Sequence, residues 1–281
     1  MTTRRRMLAM LAGVAFAGCR PGMRHSRTHG PATRIVSLAP STTEALFAIG
    51  AGRCVVGRSR FSNFPPEVNH VQVVGDVQPD LERILQLAPD LVVGTSGAAN
   101  DRLSQHLLAY GIESLFPSGD SWAAMESLII ELGRSTGHVG EARAVVTEIE
   151  ARSSAVERSV QGKPRPRVIY VINLVPVVVA GVSSFLEELV VRAGGTNVID
   201  EGPPWPTLEF ERIAALDPDI VLDGVSAGVL GRSAIAGDSE GWGRIRAVRQ
   251  GHVVGASDDR LLRPGPRMAE GVELLAVMLH S

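Results

Sequence analysis

At 281 residues the chain exceeds the usual size of a single hydrophobic core, so two domains are expected. Hydrophobic residues at 44% and charged residues at 21% match a packed soluble protein, and an aromatic content of 4% leaves few side chains to stack on a flat ligand. The net charge of −2 falls to −5 once the three positive charges of Arg4, Arg5 and Arg6 are removed, so no basic patch points to nucleic acid.

Residues 1–19 read as an export signal: Arg4, Arg5 and Arg6 form a positive start, 7–17 is an apolar run, and Ala17 and Gly18 precede Cys19. The run is well short of the ~20 residues that span a bilayer. Thr3-Arg4-Arg5-Arg6-Met7-Leu8 resembles a twin-arginine signal, which implies export in the folded state. Phe16-Ala17-Gly18-Cys19 resembles a bacterial lipobox, in which Cys19 is acylated; Phe16 departs from the usual aliphatic residue, and an ordinary cleaved signal is the alternative. Several acyl chains would anchor the protein to the membrane. Residues 20–33 show no apolar periodicity and read as a flexible tether. Cys54 is then the one remaining cysteine, so no intramolecular disulfide is expected, and its apolar neighbours Val55 and Val56 place it as an inert thiol in a strand.

Residues 34–120 alternate strand and helix patterns. A short apolar strand at 35–38 leads through Pro40 into Ser41-Thr42-Thr43-Glu44, which reads as a capping box opening a helix that Gly50 ends. Strands follow at 55–57 and 71–74, then a helix over 81–87 with Asp80 as N-cap, a strand at 91–94, a helix at 102–110 and a strand at 112–115. Residues 121–163 carry no strand signal; two helical periodicities meet at Gly137 and Gly140, and a long helix there would act as a strut between lobes. Residues 164–281 resume the alternation, with strands at 168–172, 177–179, 197–199, 220–222 and 253–254, and helices at 184–193 and 267–279.

One stretch occurs twice. ERILQLAPDLV at 82–92 and ERIAALDPDIV at 211–221 align without a gap, each running from an apolar helical face through Pro-Asp into an apolar strand. A unit repeated once predicts two lobes of similar build, not a solenoid, with function between them. The fold class is therefore α/β, two lobes with a cleft.

RIVSLAPSTTEALFAIG, SNFPPE, LERILQLAPDLVVG, PPWPTLEFERIAALDPDIV and RPGPRMAEGVELL, in that order, resemble the periplasmic substrate-binding proteins of ABC importers with a helical interlobe backbone, most closely the cobalamin-binding, BtuF-like branch. The resemblance runs from about Arg34 to the C-terminus. It implies two Rossmann-like lobes joined by a long backbone helix and a monomer that delivers cobalamin or a related corrinoid to a permease dimer with its ATPase subunits. By the same resemblance Glu82 and Glu211 are the acids on each lobe's rim that dock onto permease arginines, and Trp205, Phe61 and Asp259 contact the ligand. The alternative for the two glutamates is balancing of their helix dipoles.

The pattern departs in its aromatics: Thr95 and Val178 fill aromatic positions, and Arg260 follows Asp259 where an aromatic is expected. Arg58, Arg60, Arg260 and Arg263 fall in candidate rim loops, and guanidinium groups suit carboxylates and phosphates, so a ferric siderophore or haem is the alternative cargo. The bland alternative is that these arginines balance Asp258, Asp259 and Glu67. No His-Glu-x-x-His and no Gly-Lys-Ser/Thr phosphate loop occurs, so the chain reads as a binding protein and not an enzyme. His70, His106, His138 and His252 are scattered, so neither a resident metal nor a cofactor is expected. A ligand-sensing receptor of the same fold is a third possibility.

Overall fold

A computed structural model describes residues 30–280 except 77, 119, 226–232 and 240; the export signal, Cys19 and most of the tether lie outside the described residues. The first lobe contains β1 (Ile35–Ser37), α1 (Pro40–Ala48), β2 (Val55–Arg58), β3 (Gln72–Val73), α2 (Leu81–Gln86), β4 (Leu91–Val93), α3 (Ala98–Ala109) and β5 (Glu113–Leu115). Its strands form a parallel sheet in the order β3-β2-β1-β4-β5. β1 and β4 are buried at every residue, as expected for parallel strands covered on both faces.

Two helices follow, α4 (Trp122–Thr136) and α5 (Val139–Val160), turned on Gly137 at φ +79. The second lobe contains β6 (Arg167–Leu174), β7 (Val177–Val179), α6 (Phe185–Arg192), β8 (Thr196–Asn197), α7 (Phe210–Leu216), β9 (Ile220–Asp223), α8 (Arg246–Arg249), β10 (Val253–Gly255), α9 (Asp259–Leu262) and α10 (Met268–His280). β10, β9, β6 and β8 run parallel, and β7 pairs antiparallel with the far half of β6. In each sheet the chain leaves its first strand in one direction and later returns on the other side, which leaves a crevice at the carboxyl ends of the strands.

The sequence repeat has one structural meaning in both lobes. Asp90 Oδ2 accepts from Thr33 N at 2.8 Å and from Arg34 N at 3.2 Å, and Arg34 Nη2 donates to the Leu87 carbonyl at 2.6 Å. In the second lobe Asp219 Oδ2 accepts from Arg167 N at 2.9 Å, and Arg167 Nη2 donates to the Leu216 carbonyl at 2.7 Å. Ala88 and Asp217, equivalent in the alignment, both turn at positive φ, +44 and +43. The Pro-Asp turn thus clamps the end of a helix onto the first strand of its own lobe, and β4 and β9 lie beside β1 and β6 in register.

Several local expectations are corrected. Ser41–Glu44 forms no capping box: the N-cap is Ala39, without a side-chain cap, all four residues are buried, and Thr42, Thr43 and Glu44 make other bonds. Asp80 does cap α2, accepting from Arg83 N. Cys54 sits in a 3-10 turn before β2 and is half-buried. The helix expected at 102–110 begins earlier, at Ala98. Asp258 is the N-cap of α9, where a loop is expected. α8 and α9 carry too few residues to show a period.

One continuous apolar cluster passes from Ile35, Leu46 and Leu91 through Met125 and Ile149 to Phe185, Leu189 and Leu275, so the lobes share a core through the strut helices. On the hinge side Trp122 stacks on Phe185, and the Arg192 guanidinium lies over the Trp122 ring, 4.1 Å from its centre. Glu150 Oε1 accepts from Trp122 Nε1 at 2.6 Å and from Arg192 at 3.4 Å. Burial, with Glu150 beside it, pushes the Glu126 carboxyl up to about 7 from its ordinary 4.5. Burial also opposes the charge on Glu150, but hydrogen bonds from Glu126, Trp122 and Arg192 outweigh it and hold Glu150 low.

The folded state therefore retains a proton on Glu126 that the unfolded chain releases. Its contribution to stability is full below about pH 4.5 and is lost as pH rises through about 7. Glu126→Gln should raise the thermal midpoint near pH 8 and change it little near pH 4.5, measured by calorimetry. An equal change at both pH values would contradict this assignment.

Candidate ligand cleft

The first lobe presents a loop that follows β2 and is fixed from beneath. Thr43 Oγ1 shares a hydrogen bond with Ser62 Oγ at 2.8 Å and donates to Ser37 Oγ at 2.8 Å, and Ser59 and Ser62 share another at 3.1 Å. The Thr43 hydroxyl thus anchors a loop instead of helping to cap a helix. Arg58 completes the base: it is buried, with Nη1 donating to the Ser62 carbonyl at 2.8 Å and Nε to the Val71 carbonyl at 3.2 Å. A rim position for Arg58 is overturned, because its charge is spent on backbone carbonyls. Above this base Arg60 is exposed, and no side-chain partner meets it among the described residues. Phe61 is 48% exposed and Phe64 39%.

The second lobe brings α9 and the chain after it to the same place. Arg263 Nη1 donates to Asn63 Oδ1 at 3.0 Å, bridging the lobes. Arg267 donates from Nε and Nη2 to the Glu44 carboxylate at 2.7 and 2.8 Å, and its guanidinium lies 4.0 Å from the Phe64 ring centre. Arg260 is fastened to its own lobe, donating to Asp258 at 2.9 and 2.8 Å, and it holds the Asp258 carboxyl down to about 2. Asp259 pairs with Arg263 at 3.0 Å.

The structure thus gathers Arg60, Phe61, Asp259 and Arg260 around the junction of loops 59–64 and 258–267. Asn63, Phe64, Glu44 and Arg267 belong there too, and sequence reasoning missed them. The available signal was their position in SNFPPE, STTE and GPRMAEG, three of the segments that carry the family resemblance.

Trp205 stands on a separate segment. The Pro204 carbonyl accepts from Gly181 N at 2.8 Å and the Pro206 carbonyl from Val179 N at 3.1 Å, so the Pro-rich stretch lies along β7 and its strand end. A Cβ on Gly181 would collide with the Pro203 carbonyl, so glycine is required for the approach. Trp205 remains 40% exposed, and no hydrogen bond or ring contact joins it to the loop residues above among the described residues. Of the positions expected to be aromatic, Thr95 gives its carbonyl to Asn100 and Val178 bridges Thr207.

Glu82 and Glu211 both occupy the second residue of their helices and are exposed. They differ in one respect: Glu211 accepts from Arg244, whereas Glu82 has no side-chain partner among the described residues.

A cavity of about 590 Å³ lies elsewhere, between α5 and α6, lined by Glu150, Glu157, Glu188, Val191 and Arg192 among others. It shares no residue with the loops above, and Arg192 ties two of its acids together at 3.4 and 2.9 Å. Those ion pairs join α6 to α5, whereas the cleft loops are where side chains of the two lobes meet, so the cleft loops are the better candidate. The chain also contains a Gly-x-Ser-x-Gly spacing at 224–228, just after β9. An esterase elbow requires that serine on a strand-to-helix turn, and Ser226 lies outside the described residues.

Two lobes built on largely parallel sheets, a shared helical strut and loops converging at the strand ends define a two-lobed solute-binding architecture. Residues 35–259 match the profile of the periplasmic binding protein family, and the chain belongs to that family. It is 30% identical over 88% of its length to a cobalamin-binding protein of Halobacterium salinarum, covering 69% of that protein. It is 29% identical over 88% of its length to an uncharacterized ABC transporter substrate-binding lipoprotein, YvrC, of Bacillus subtilis, covering 80% of it. The solved periplasmic heme-binding protein RhuT of Roseiflexus sp. RS-1, in apo form, superposes with a TM-score of 0.73 at 26% identity, over 89% of this chain and 98% of that one.

Proposed function

We propose that this chain is the extracytoplasmic substrate-binding protein of an ABC importer, that it acts as a monomer, and that its cargo is cobalamin or a related corrinoid. The observation that carries the cargo reading is the charge state of the cleft. Arg260, Arg263 and Arg267 each face an acid, Asp258, Asp259 and Glu44, while aromatic surface stays exposed at Phe61 and Trp205. Neutralised guanidiniums leave little to hold a polyanionic ferric siderophore, whereas a bulky, near-neutral macrocycle with amide arms suits apolar surface ringed by polar groups. The cobalamin-binding relative adds to that reading.

Haem is the second reading, favoured by Arg60. Its free guanidinium suits a propionate, and the heme-binding relative shares the fold.

Delivery follows from the repeat. Glu82 and Glu211 sit at equivalent places in two similar lobes, so they offer a two-point dock to a permease of twofold symmetry. Cys19, acylated, would keep the protein at the membrane near that permease, with the YvrC lipoprotein as a relative of the same kind. The role is capture and release, without chemistry on the cargo.

Calorimetric titration with cyanocobalamin, haemin and a ferric siderophore tests the cargo. Cyanocobalamin should bind at about micromolar levels or tighter, and Trp205→Ala should weaken it by about tenfold. No corrinoid binding, with haemin bound, would replace the primary reading by the second. Glu82→Lys combined with Glu211→Lys should abolish uptake in cells carrying the cognate permease and leave cyanocobalamin affinity unchanged. Lost ligand affinity would count against the docking role.

A further inference from the structure

Phe64 is the aromatic side chain at the junction of the lobes for which no role has been given. Its ring is 39% exposed, on a loop that the Ser37–Thr43–Ser62 hydroxyl chain holds rigidly. One face is covered, because the Arg267 guanidinium lies 4.0 Å from the ring centre. That guanidinium is itself fixed: two of its nitrogens donate to Glu44, which is 5% exposed. Ring and carboxylate come from the first lobe and the cation from the second, so the arrangement exists only when the lobes are at this separation. Phe61, three residues earlier on the same loop, is also exposed, and Asn63, immediately before Phe64, accepts from Arg263 of the second lobe.

We propose that Phe64 is a further ligand-contact residue, a flat apolar platform for the face or edge of a bound macrocycle, and that Arg267, anchored by Glu44, is its positioning residue. The inference rests on the reading of this cleft as the binding site for a bulky chelate. A rigid ring with one face already backed loses little freedom when a flat ligand covers the other, so its burial contributes to affinity almost undiminished. The ion pair and the cation–π contact brace the ring from behind.

The test is calorimetry with cyanocobalamin, haemin and ferric desferrioxamine on the wild type, Phe64→Ala, Phe64→Tyr and Arg267→Lys, with Tyr110→Ala as a control. Tyr110 is an exposed aromatic just ahead of β5, at the opposite end of the sheet from the cleft loops. For whichever compound the wild type binds, Phe64→Ala should weaken binding about tenfold, Phe64→Tyr should restore it, and Tyr110→Ala should leave it unchanged. Arg267→Lys should weaken binding severalfold alone and add little on top of Phe64→Ala, since both changes remove one platform; a purely structural role would add independently.

Unchanged affinity in a folded Phe64→Ala protein, with the wild type binding, overturns the platform and leaves the cargo reading intact. A wild type that binds none of the three overturns the cargo reading and this inference together.

Discussion

Each lobe hangs on one carboxylate. Asp90 and Asp219 gather backbone N–H groups at the start of β1 and β6, and the arginine beside each, Arg34 or Arg167, reaches back to the carbonyls that end α2 or α7. The Pro-Asp turn therefore fixes where a helix stops, where the next strand starts and which strand it pairs with. In the second lobe the Arg167 backbone N–H and the Arg246 side chain, which donates to Asp219 at 2.9 Å, hold the Asp219 carboxyl below the usual carboxylate range. Because the turn is the same in both lobes, Glu82 and Glu211 emerge at equivalent points on their helices, which is the geometric basis for the proposed paired dock.

From these clamps the chain reaches the cleft through the carboxyl ends of the strands. β2 ends in the loop carrying Arg60, Phe61 and Phe64, and β10 ends at the α9 segment carrying Arg260 and Arg263. Between them the Arg267–Glu44 pair ties the lobes at the cleft, while Trp122, Glu150 and Arg192 tie them on the hinge side. A continuous apolar core also joins the lobes through the strut helices, and fully exposing a large side chain from it would cost about 1.5–3 kcal/mol. The architecture favours small adjustments of loops over large rotation of lobes.

The alternation of helix and strand, the internal repeat and the helical interlobe segment were legible in the sequence, because each rests on local periodicity or on a repeated spelling. Asp80 as a cap was legible for the same reason. What could not be read locally was the use of residues across long separations. Ser41-Thr42-Thr43-Glu44 spells a capping box, yet Thr43 serves Ser62 and Glu44 serves Arg267, 223 residues away. Arg58, Arg260 and Arg263 look alike as loop arginines, and only the fold separates the one buried on carbonyls from the two paired with Asp258 and Asp259. Phe64 carries no local signature beyond its place in SNFPPE, because the cation over its ring, Arg267, comes from the other end of the chain.

The proposed site places cargo against the loops at the strand ends and not in the cavity between α5 and α6. Hydrogen exchange of the protein with and without saturating cyanocobalamin tests it most directly. Protection should concentrate in residues 59–64, 203–207 and 258–263, with α4 and α5 unchanged. Protection centred on Glu150, Glu157 and Arg192, with those loops unaffected, would contradict it.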